Sequence, residues 1–145
     1  MIIVADTSAL YAAFDASQPE HTDASAVMDS ELLLISPLVL TELDHLVHRD
    51  LGFPAALQVA DALAARMTAG RYKLAELSIA DLAAARGVRG QYKDLQLDLA
   101  DSVGVVLADR YKTNQIFTLD QRDYRAIRPL TRTFDAFRIL PADLY

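Results

Sequence analysis

The most informative absence in this 145-residue sequence is that of cysteine. Without cysteine the chain can form no disulfide bond and offers no thiolate to a metal, a composition typical of a cytoplasmic protein. Histidine is scarce, with only three residues, which argues against a zinc site. The longest apolar runs are far too short to span a bilayer, and the first residues do not resemble a signal peptide. We therefore expect one cytoplasmic domain spanning residues 1–145.

Basic residues are also few, since 14 lysines and arginines oppose 20 acidic residues, for a net charge of −6. This balance argues against a strongly basic nucleic-acid-binding protein. The charges are unevenly spread, however: residues 1–70 carry −8, residues 71–109 carry −1 and residues 110–145 carry +3. The gradient is either ordinary surface scatter or an acidic, metal-holding half next to a basic rim that could contact phosphates.

The first segment joins a buried strand to polar residues. Residues 2–5 are apolar and rich in β-branched side chains, which predicts a strand buried on both faces of a sheet. Asp6 follows directly, and Thr7 or Ser8 is suited to cap a helix beginning near Ala9. Because ligands bind beyond the carboxyl ends of the strands in parallel sheets, Asp6 is well placed for chemistry.

The rest of the chain alternates strands with helices, which predicts an α/β protein with a parallel sheet between two helical layers. No repeat, low-complexity segment or linker indicates a second domain. The predicted strands cover residues 2–5, 31–35, 71–77, 115–119 and 137–140. The predicted helices cover residues 9–14, 21–28, 37–50, 54–69 and 97–111, with an alanine-rich helix after a capping box at Ser78 and Asp81 that Gly87 and Gly90 break or bend.

Four acidic residues are candidates for one site. Asp6 and Asp120 each follow a strand, so they flank one crevice if those two strands are neighbours. Glu42 shares a helix side with apolar residues, and Asp101 lies in a strongly apolar helix, so both are expected to point inward. Each acid alone has another explanation, such as a helix cap, a solvated position, an ion pair or a turn. Their common direction favours a shared site.

Converging carboxylates need a cation. Two of them about 4 Å apart repel each other by roughly 4 kcal/mol at an effective dielectric constant near 20. Mg²⁺ and Mn²⁺ prefer oxygen ligands and share their coordination with substrate phosphates. We expect Asp98 and Asp123 to cap helices or face solvent, with indirect support of the metal as the alternative. His45 and His48 are expected at the surface or in packing.

Taken in order, these segments resemble the PIN-domain ribonucleases, and among them the VapC toxins of type II toxin–antitoxin systems. Each segment is common alone, but their order and spacing are specific, and the resemblance covers essentially the whole chain. The sequence departs from the family pattern at Ser102, where alanine is frequent, and at Tyr124, where phenylalanine is frequent. The resemblance is carried by residues 2–10, 36–43, 99–103, 107–111, 118–120, 123–124 and 128–129.

The resemblance implies a three-layer α/β/α sandwich whose five-stranded parallel sheet has the order 3-2-1-4-5. It also implies an acidic quartet of Asp6, Glu42, Asp101 and Asp120, with Asp6 and Asp101 as principal ligands of Mg²⁺ or Mn²⁺. The implied activity is that of an endoribonuclease in which metal-activated water attacks a phosphodiester, leaving a 5′-phosphate and a 3′-hydroxyl. Glu42 or Asp120 would orient that water or accept its proton.

The resemblance further implies a homodimer, an RNA substrate and a VapB-type antitoxin. The acidic first half would suit a basic antitoxin segment, and the apolar helices of residues 21–69 could supply its groove, although core packing explains most of their apolar residues. Transfer, ribosomal and messenger RNA are equally compatible with the quartet. The basic residues near the third and fourth acids contact either phosphate or only solvent: Arg110, Lys112, Arg122, Arg125, Arg128 and Arg132.

Other classes of protein fit less well. A phosphatase with an aspartate nucleophile needs a second carboxylate two residues later, where this chain has Ser8. A receiver-type signalling domain needs paired acids after its first strand and a lysine near its last, where this chain has Asp6 alone and Arg138. The remaining alternative is a non-catalytic PIN-like module that binds RNA or protein, and the complete acidic quartet argues against it.

Overall fold

The sheet has five parallel strands in the order β3-β2-β1-β4-β5, which confirms the predicted order. The structure is a computed structural model and describes residues 1–144. β1 and β4 lie side by side at the centre, where the order of the strands reverses, so their carboxyl ends border one crevice. The strands are β1 (Ile3–Ala5), β2 (Leu33–Ile35), β3 (Tyr72–Leu74), β4 (Gln115–Phe117) and β5 (Arg138–Leu140).

Helices cover both faces of this sheet, as expected for the α/β/α sandwich. Within residues 1–144, no helix is both long and apolar enough to cross a membrane. The helices are α1 (Thr7–Phe14), α2 (His21–Ser30), α3 (Pro37–Leu51), α4 (Phe53–Thr68), α5 (Ile79–Gln91), α6 (Leu99–Arg110) and α7 (Gln121–Ala126).

Alternate residues of each strand pack against opposite helical layers. Ile3 and Leu33 belong to a core shared with α1 to α4, whereas Val4 and Leu34 belong to a core shared with α5 to α7. All four side chains are buried. Because both faces of the sheet are covered, a central strand must be apolar at every position, which explains the uninterrupted apolar run at the start of the sequence.

Several predicted boundaries were wrong. α1 begins at Thr7, so Thr7 and Ser8 lie inside the helix, and the N-cap position belongs to Asp6, whose side chain makes no capping hydrogen bond. α5 continues through Gly87 and Gly90 instead of breaking there. A glycine costs a helix only about 1 kcal/mol relative to alanine, which the packing of the buried face of α5 outweighs.

The sequence pattern also did not reveal α7, which has six residues. A helix of this length shows less than two turns of apolar periodicity, so its sequence resembles a polar loop.

Asp98 was predicted to lie inside the sixth helix, but it is the N-cap of α6. The carboxylate of Asp98 accepts a hydrogen bond from the backbone N–H of Asp101 at 2.8 Å. This arrangement confirms the capping role predicted for Asp98.

The helix that carries Glu42 begins as predicted. The hydroxyl of Ser36 accepts a hydrogen bond from the N–H of Val39 at 3.2 Å, and Pro37 occupies the first turn. The buried stripe of α3 consists of Val39, Leu43 and Val47. Glu42 lies beside this stripe and is half-buried, so its carboxylate is at the boundary between the core and solvent and not within the apolar face.

We expect Ser36→Ala to lower the free energy of unfolding by about 1 kcal/mol, because the buried N–H of Val39 would lose its partner. Urea unfolding followed by circular dichroism measures this change. The control is Ser30→Ala at the exposed end of α2, which should change stability by less than about 0.5 kcal/mol. Equal effects of the two substitutions would contradict a capping role for Ser36.

Candidate active site

Asp6 extends the central strand β1 by one residue. Its N–H donates a hydrogen bond to the carbonyl oxygen of Phe117 at 2.8 Å, which ties the backbone to β4. The residue is only 8% exposed. The Oδ2 atom accepts hydrogen bonds from the hydroxyls of Thr118 at 2.7 Å and Ser8 at 3.3 Å. Two hydroxyl groups therefore fix one oxygen of this buried carboxylate.

The same two hydroxyls hold the chain that follows β4. The N–H of Leu119 donates to Ser8 Oγ at 2.9 Å, and the N–H of Asp120 donates to Thr118 Oγ1 at 3.0 Å. Each hydroxyl thus donates to Asp6 and accepts from the backbone. Sequence reasoning missed this role, since it treated Ser8 as a helix cap. The available signal was a hydroxyl residue two positions from Asp6 and another two positions from Asp120.

Three further carboxylates form a close group. One oxygen from each of Asp101, Asp120 and Asp123 lies within 4.8 Å of the others. Asp101 is in the first turn of α6, and Asp120 is the N-cap of α7, where it accepts a hydrogen bond from the N–H of Asp123 at 3.1 Å. The short helix α7 therefore brings Asp123 back towards Asp120.

Crowding shifts the protonation of these groups. Burial, followed by the negative charges of Asp6 and Asp98, raises the pKa of Asp101 to about 9. Burial likewise raises the pKa of Asp120, and the negative charge of Asp123 adds to this increase. The shifts have the direction expected where several carboxylates share a site without a neutralising cation.

Glu42 borders this group from the side of α3. It lines an open cleft with Leu38, His45 and Asp98. Burial is the largest cause of the raised pKa of Glu42, and the charges of Asp98 and Asp6 add to it. The structure thus brings Asp6, Asp101 and Asp120 together and sets Glu42 at the edge of the same crevice.

The position of Asp123 differs from its prediction as a helix cap or solvated acid. Its side chain is 15% exposed, and its carboxylate belongs to the close group with Asp101 and Asp120. The side chain of Arg122, whose guanidinium lies 3.3 Å away, is 80% exposed. This position agrees with the alternative considered for Asp123, indirect support of a metal, which was not favoured because α7 was not predicted. The surface positions of His45 and His48 are confirmed, since both are exposed on α3.

The carboxylate oxygens of this crevice are hard ligands of the kind that bind Mg²⁺ or Mn²⁺. Within residues 1–144, the acids of the crevice have one ion pair, between Asp123 and the exposed Arg122. A divalent cation would therefore relieve repulsion that the protein itself leaves largely uncompensated. The residues present fit such a cation.

Comparison with known proteins agrees with this geometry. A family model described as the PIN domain matches residues 3–128. Ribonuclease VapC26 of Mycobacterium tuberculosis (strain ATCC 25618 / H37Rv) is 42% identical over 130 residues, which cover 88% of this chain and 93% of the relative. The chain therefore belongs to the PIN-domain family. Within that family its relatives are the VapC ribonucleases, which confirms the resemblance seen in the sequence.

Solved structures share the fold. The crystal structure of M. tuberculosis VapC20, described as a Sarcin-Ricin loop cleaving toxin, has a TM-score of 0.74 and 19% identity, covering 84% of this chain and 92% of that chain. VapBC2 of Rickettsia felis, bound to a DNA fragment from its promoter, has a TM-score of 0.67 and 14% identity, covering 96% of this chain and 98% of that one. At these identities the likeness concerns the fold alone.

We expect Asp101→Asn to stabilise the metal-free protein, and more so at pH 8 than at pH 5. The pKa of Asp101 is about 9 in the folded chain against an ordinary value of 3.8, so the folded state binds more protons between these values. The stability of the parent protein should therefore fall as the pH rises through this window. In scanning calorimetry with a chelator, the variant should melt higher by about 5 °C at pH 8.

The control for this experiment is Asp61→Asn, which replaces an exposed acid of α4. It should leave the melting temperature unchanged at both pH values. An increase for Asp101→Asn that is the same at pH 5 and pH 8 would contradict the proposed crowding of charge.

Proposed function

We propose that this chain is a metal-dependent endoribonuclease and the toxin of a toxin–antitoxin pair. The observation that carries the proposal is the convergence of Asp6, Asp101, Asp120 and Glu42 beyond the carboxyl ends of β1 and β4, in a chain of the VapC family. Excess negative charge at this edge would oppose the binding of RNA unless a cation is present. A hydrolytic site for phosphodiesters accounts for both the acids and their crowding.

We assign Asp6 and Asp101 as the principal ligands of Mg²⁺ or Mn²⁺. Asp6 is suited to this task because Thr118 and Ser8 already fix its Oδ2 atom. Asp120 and Glu42 complete the site directly or through water. When bound, the cation lowers the pKa of water and neutralises charge on the phosphate.

The protein groups then divide the remaining work. Glu42 stands outside the close group of three aspartates and lines the open cleft, so we assign it to orient the attacking water and accept its proton. Its raised pKa improves its ability to hold that proton. Asp123 lies close to Asp120 and Asp101, so its charge adds to the negative potential of the site. Its backbone N–H donates to Asp120 and supports the position of that side chain. In-line attack leaves a 5′-phosphate and a 3′-hydroxyl.

We further propose that the chain forms a homodimer and binds a VapB-type antitoxin. An apolar cavity of about 220 Å³ lies between α3 and α4 and is lined by Leu40, Val59, Leu63 and Met67. The charge of −8 over residues 1–70 would favour a basic antitoxin segment at this surface. The solved structure of R. felis VapBC2 shares this fold and supports such a pairing.

Antitoxin-free protein should cut cellular RNA at one or a few positions when Mg²⁺ or Mn²⁺ is present. We expect a chelator or Asp101→Asn to reduce cleavage by about 100-fold or more, because each removes a part of the hydrolytic site. Total RNA is incubated with each protein, and the new 5′ ends are mapped. Asp61→Asn, the surface control, should cleave like the parent.

The outcomes of this experiment separate the candidate functions. Cuts that require both the metal and Asp101 would support the nuclease and identify its RNA. Folded parent protein that cuts no class of RNA with either metal would favour the non-catalytic adaptor. Cleavage that persists in Asp101→Asn would mean that the assigned quartet is wrong or that the preparation contains another nuclease.

Thr118→Val should weaken the binding of Mn²⁺ by about 10-fold, because Asp6 would lose its shortest hydrogen bond while the shape of the side chain is retained. Isothermal titration calorimetry of the metal alone measures this loss. Thr118→Ser keeps the hydroxyl and should bind Mn²⁺ like the parent. Equal affinities for the two variants would contradict a positioning role for this hydroxyl.

A further inference from the structure

Three of the six basic residues near the third and fourth acids are already engaged by carboxylates of the protein. Arg110 lies at the end of α6, far from Asp101 in its first turn. In addition to its ion pair, the guanidinium of Arg110 donates a hydrogen bond to the carbonyl oxygen of Glu76 at 2.8 Å. Arg110 and Arg125 join segments that are distant in the sequence, whereas Arg122 pairs with its neighbour in α7. The sequence therefore overstated the number of candidate phosphate contacts. The pairs are Arg110 with Asp81, Arg122 with Asp123, and Arg125 with Asp143.

Two other arginines line a polar cavity of about 440 Å³ between the end of α5 and the loop that follows α7. Tyr92 forms one wall, and Arg128, Arg132 and Phe134 form the other. The hydroxyl of Tyr92 accepts a hydrogen bond from the N–H of Arg128 at 3.1 Å, which fixes the loop against α5. The cavity is therefore a built feature of the fold.

This cavity lies near the acidic crevice. Arg89 Nε donates to the carbonyl oxygen of Leu97 at 2.9 Å, which ties the end of α5 to the residue before Asp98, the N-cap of α6. On the other wall, Arg128 follows α7, whose N-cap is Asp120. Because a six-residue helix spans about 9 Å, the cavity is within reach of nucleotides next to a phosphate held at the acids.

The arginines of the cavity are available to a ligand. Within residues 1–144, Arg132 has no carboxylate at ion-pair distance. Arg128 lies 3.3 Å from Asp135, but the two side chains are 73% and 96% exposed, and such a pair contributes little to stability. A phosphate could therefore replace Asp135 at small cost. The half-buried rings of Tyr92 and Phe134 offer surfaces on which a base can stack.

We propose that this cavity, the arginine cavity, binds a nucleotide of single-stranded RNA adjoining the bond that is cut. Arg128 and Arg132 contact its phosphate, and Phe134 stacks on its base. The inference rests on the proposed nuclease function and adds where the substrate is held. A chain with a net charge of −6 repels RNA as a whole, so binding depends on cations that lie next to the acidic crevice.

RNA binding is measured with Asp101→Asn as the background, because this variant should not cut the probe. The probe is a fluorescent single-stranded RNA of about 12 residues with Mg²⁺, titrated at several KCl concentrations, and its anisotropy is followed. Arg128→Ala with Arg132→Ala should weaken binding by about 10-fold and reduce the salt slope by about 1 to 1.4, as expected for two lost phosphate contacts. Arg132→Lys keeps the charge and should retain the slope.

Phe134→Leu tests the stacking surface and should weaken binding by about 5-fold or more without changing the salt slope. The matched controls are Arg49→Ala and Phe53→Leu, which alter an exposed arginine and an exposed phenylalanine near the opposite end of α3. Both controls should bind RNA like the background protein. Circular dichroism and the melting temperature establish that each variant is folded.

Each outcome distinguishes the arginine cavity from the nuclease function. If the arginine substitutions leave RNA affinity unchanged while the parent cuts RNA in a metal- and Asp101-dependent manner, the cavity assignment is wrong and the nuclease stands. If the substitutions affect only the binding of a polyglutamate peptide, the cavity is a protein-docking site and the proposal fails. If the parent neither cuts nor binds RNA, both proposals fail together.

Discussion

Repulsion among carboxylates is the constraint around which this structure is arranged. Asp6 is buried at the centre of the sheet edge, and Asp101 is crowded enough to raise its pKa to about 9. No folded chain gains stability from such a group in the absence of a cation. The acids must therefore be held in place by interactions whose stabilising free energy comes from elsewhere in the molecule.

The two apolar cores supply that free energy. Strands buried on both faces leave one place where charged side chains can reach both the sheet and water, namely the ends of the strands. Reversal of the strand order between β1 and β4 opens the crevice there. The hydroxyls of Ser8 and Thr118 then join the two strand ends and fix Asp6 between them. The rigidity of the site is thus a consequence of packing that lies below it.

Much of this arrangement could be predicted because it depends on local patterns. The apolar run before Asp6 marks a doubly buried strand, and Ser36 with Pro37 marks the start of the helix that carries Glu42. The family resemblance added the strand order. The four candidate acids could be found because each follows a strand or lies on the inner side of a helix. A short stretch of sequence is enough to show such a position.

The features that escaped prediction depend on contacts between distant parts of the chain. Ser8 and Thr118 are 110 residues apart, and only the pairing of β1 with β4 brings their hydroxyls to the same carboxylate. Asp123 joins the acids because of α7, which is too short to show a period. Gly87 and Gly90 were expected to break a helix whose packing overrides their weak propensity.

The positive charge that is available to a ligand also depends on contacts between distant residues. This dependence bears on how such a protein selects RNA. Residues 110–145 carry +3, but Arg110 and Arg125 are held by Asp81 and Asp143, so their charge stabilises the fold. A count of basic residues therefore overestimates the positive surface that a polyanion encounters. A nuclease with a net negative charge binds most RNA weakly. Under the proposals made above, only a strand that reaches both the arginine cavity and a cation at the acids would gain enough contacts to remain bound. This requirement would itself favour a narrow choice of substrate.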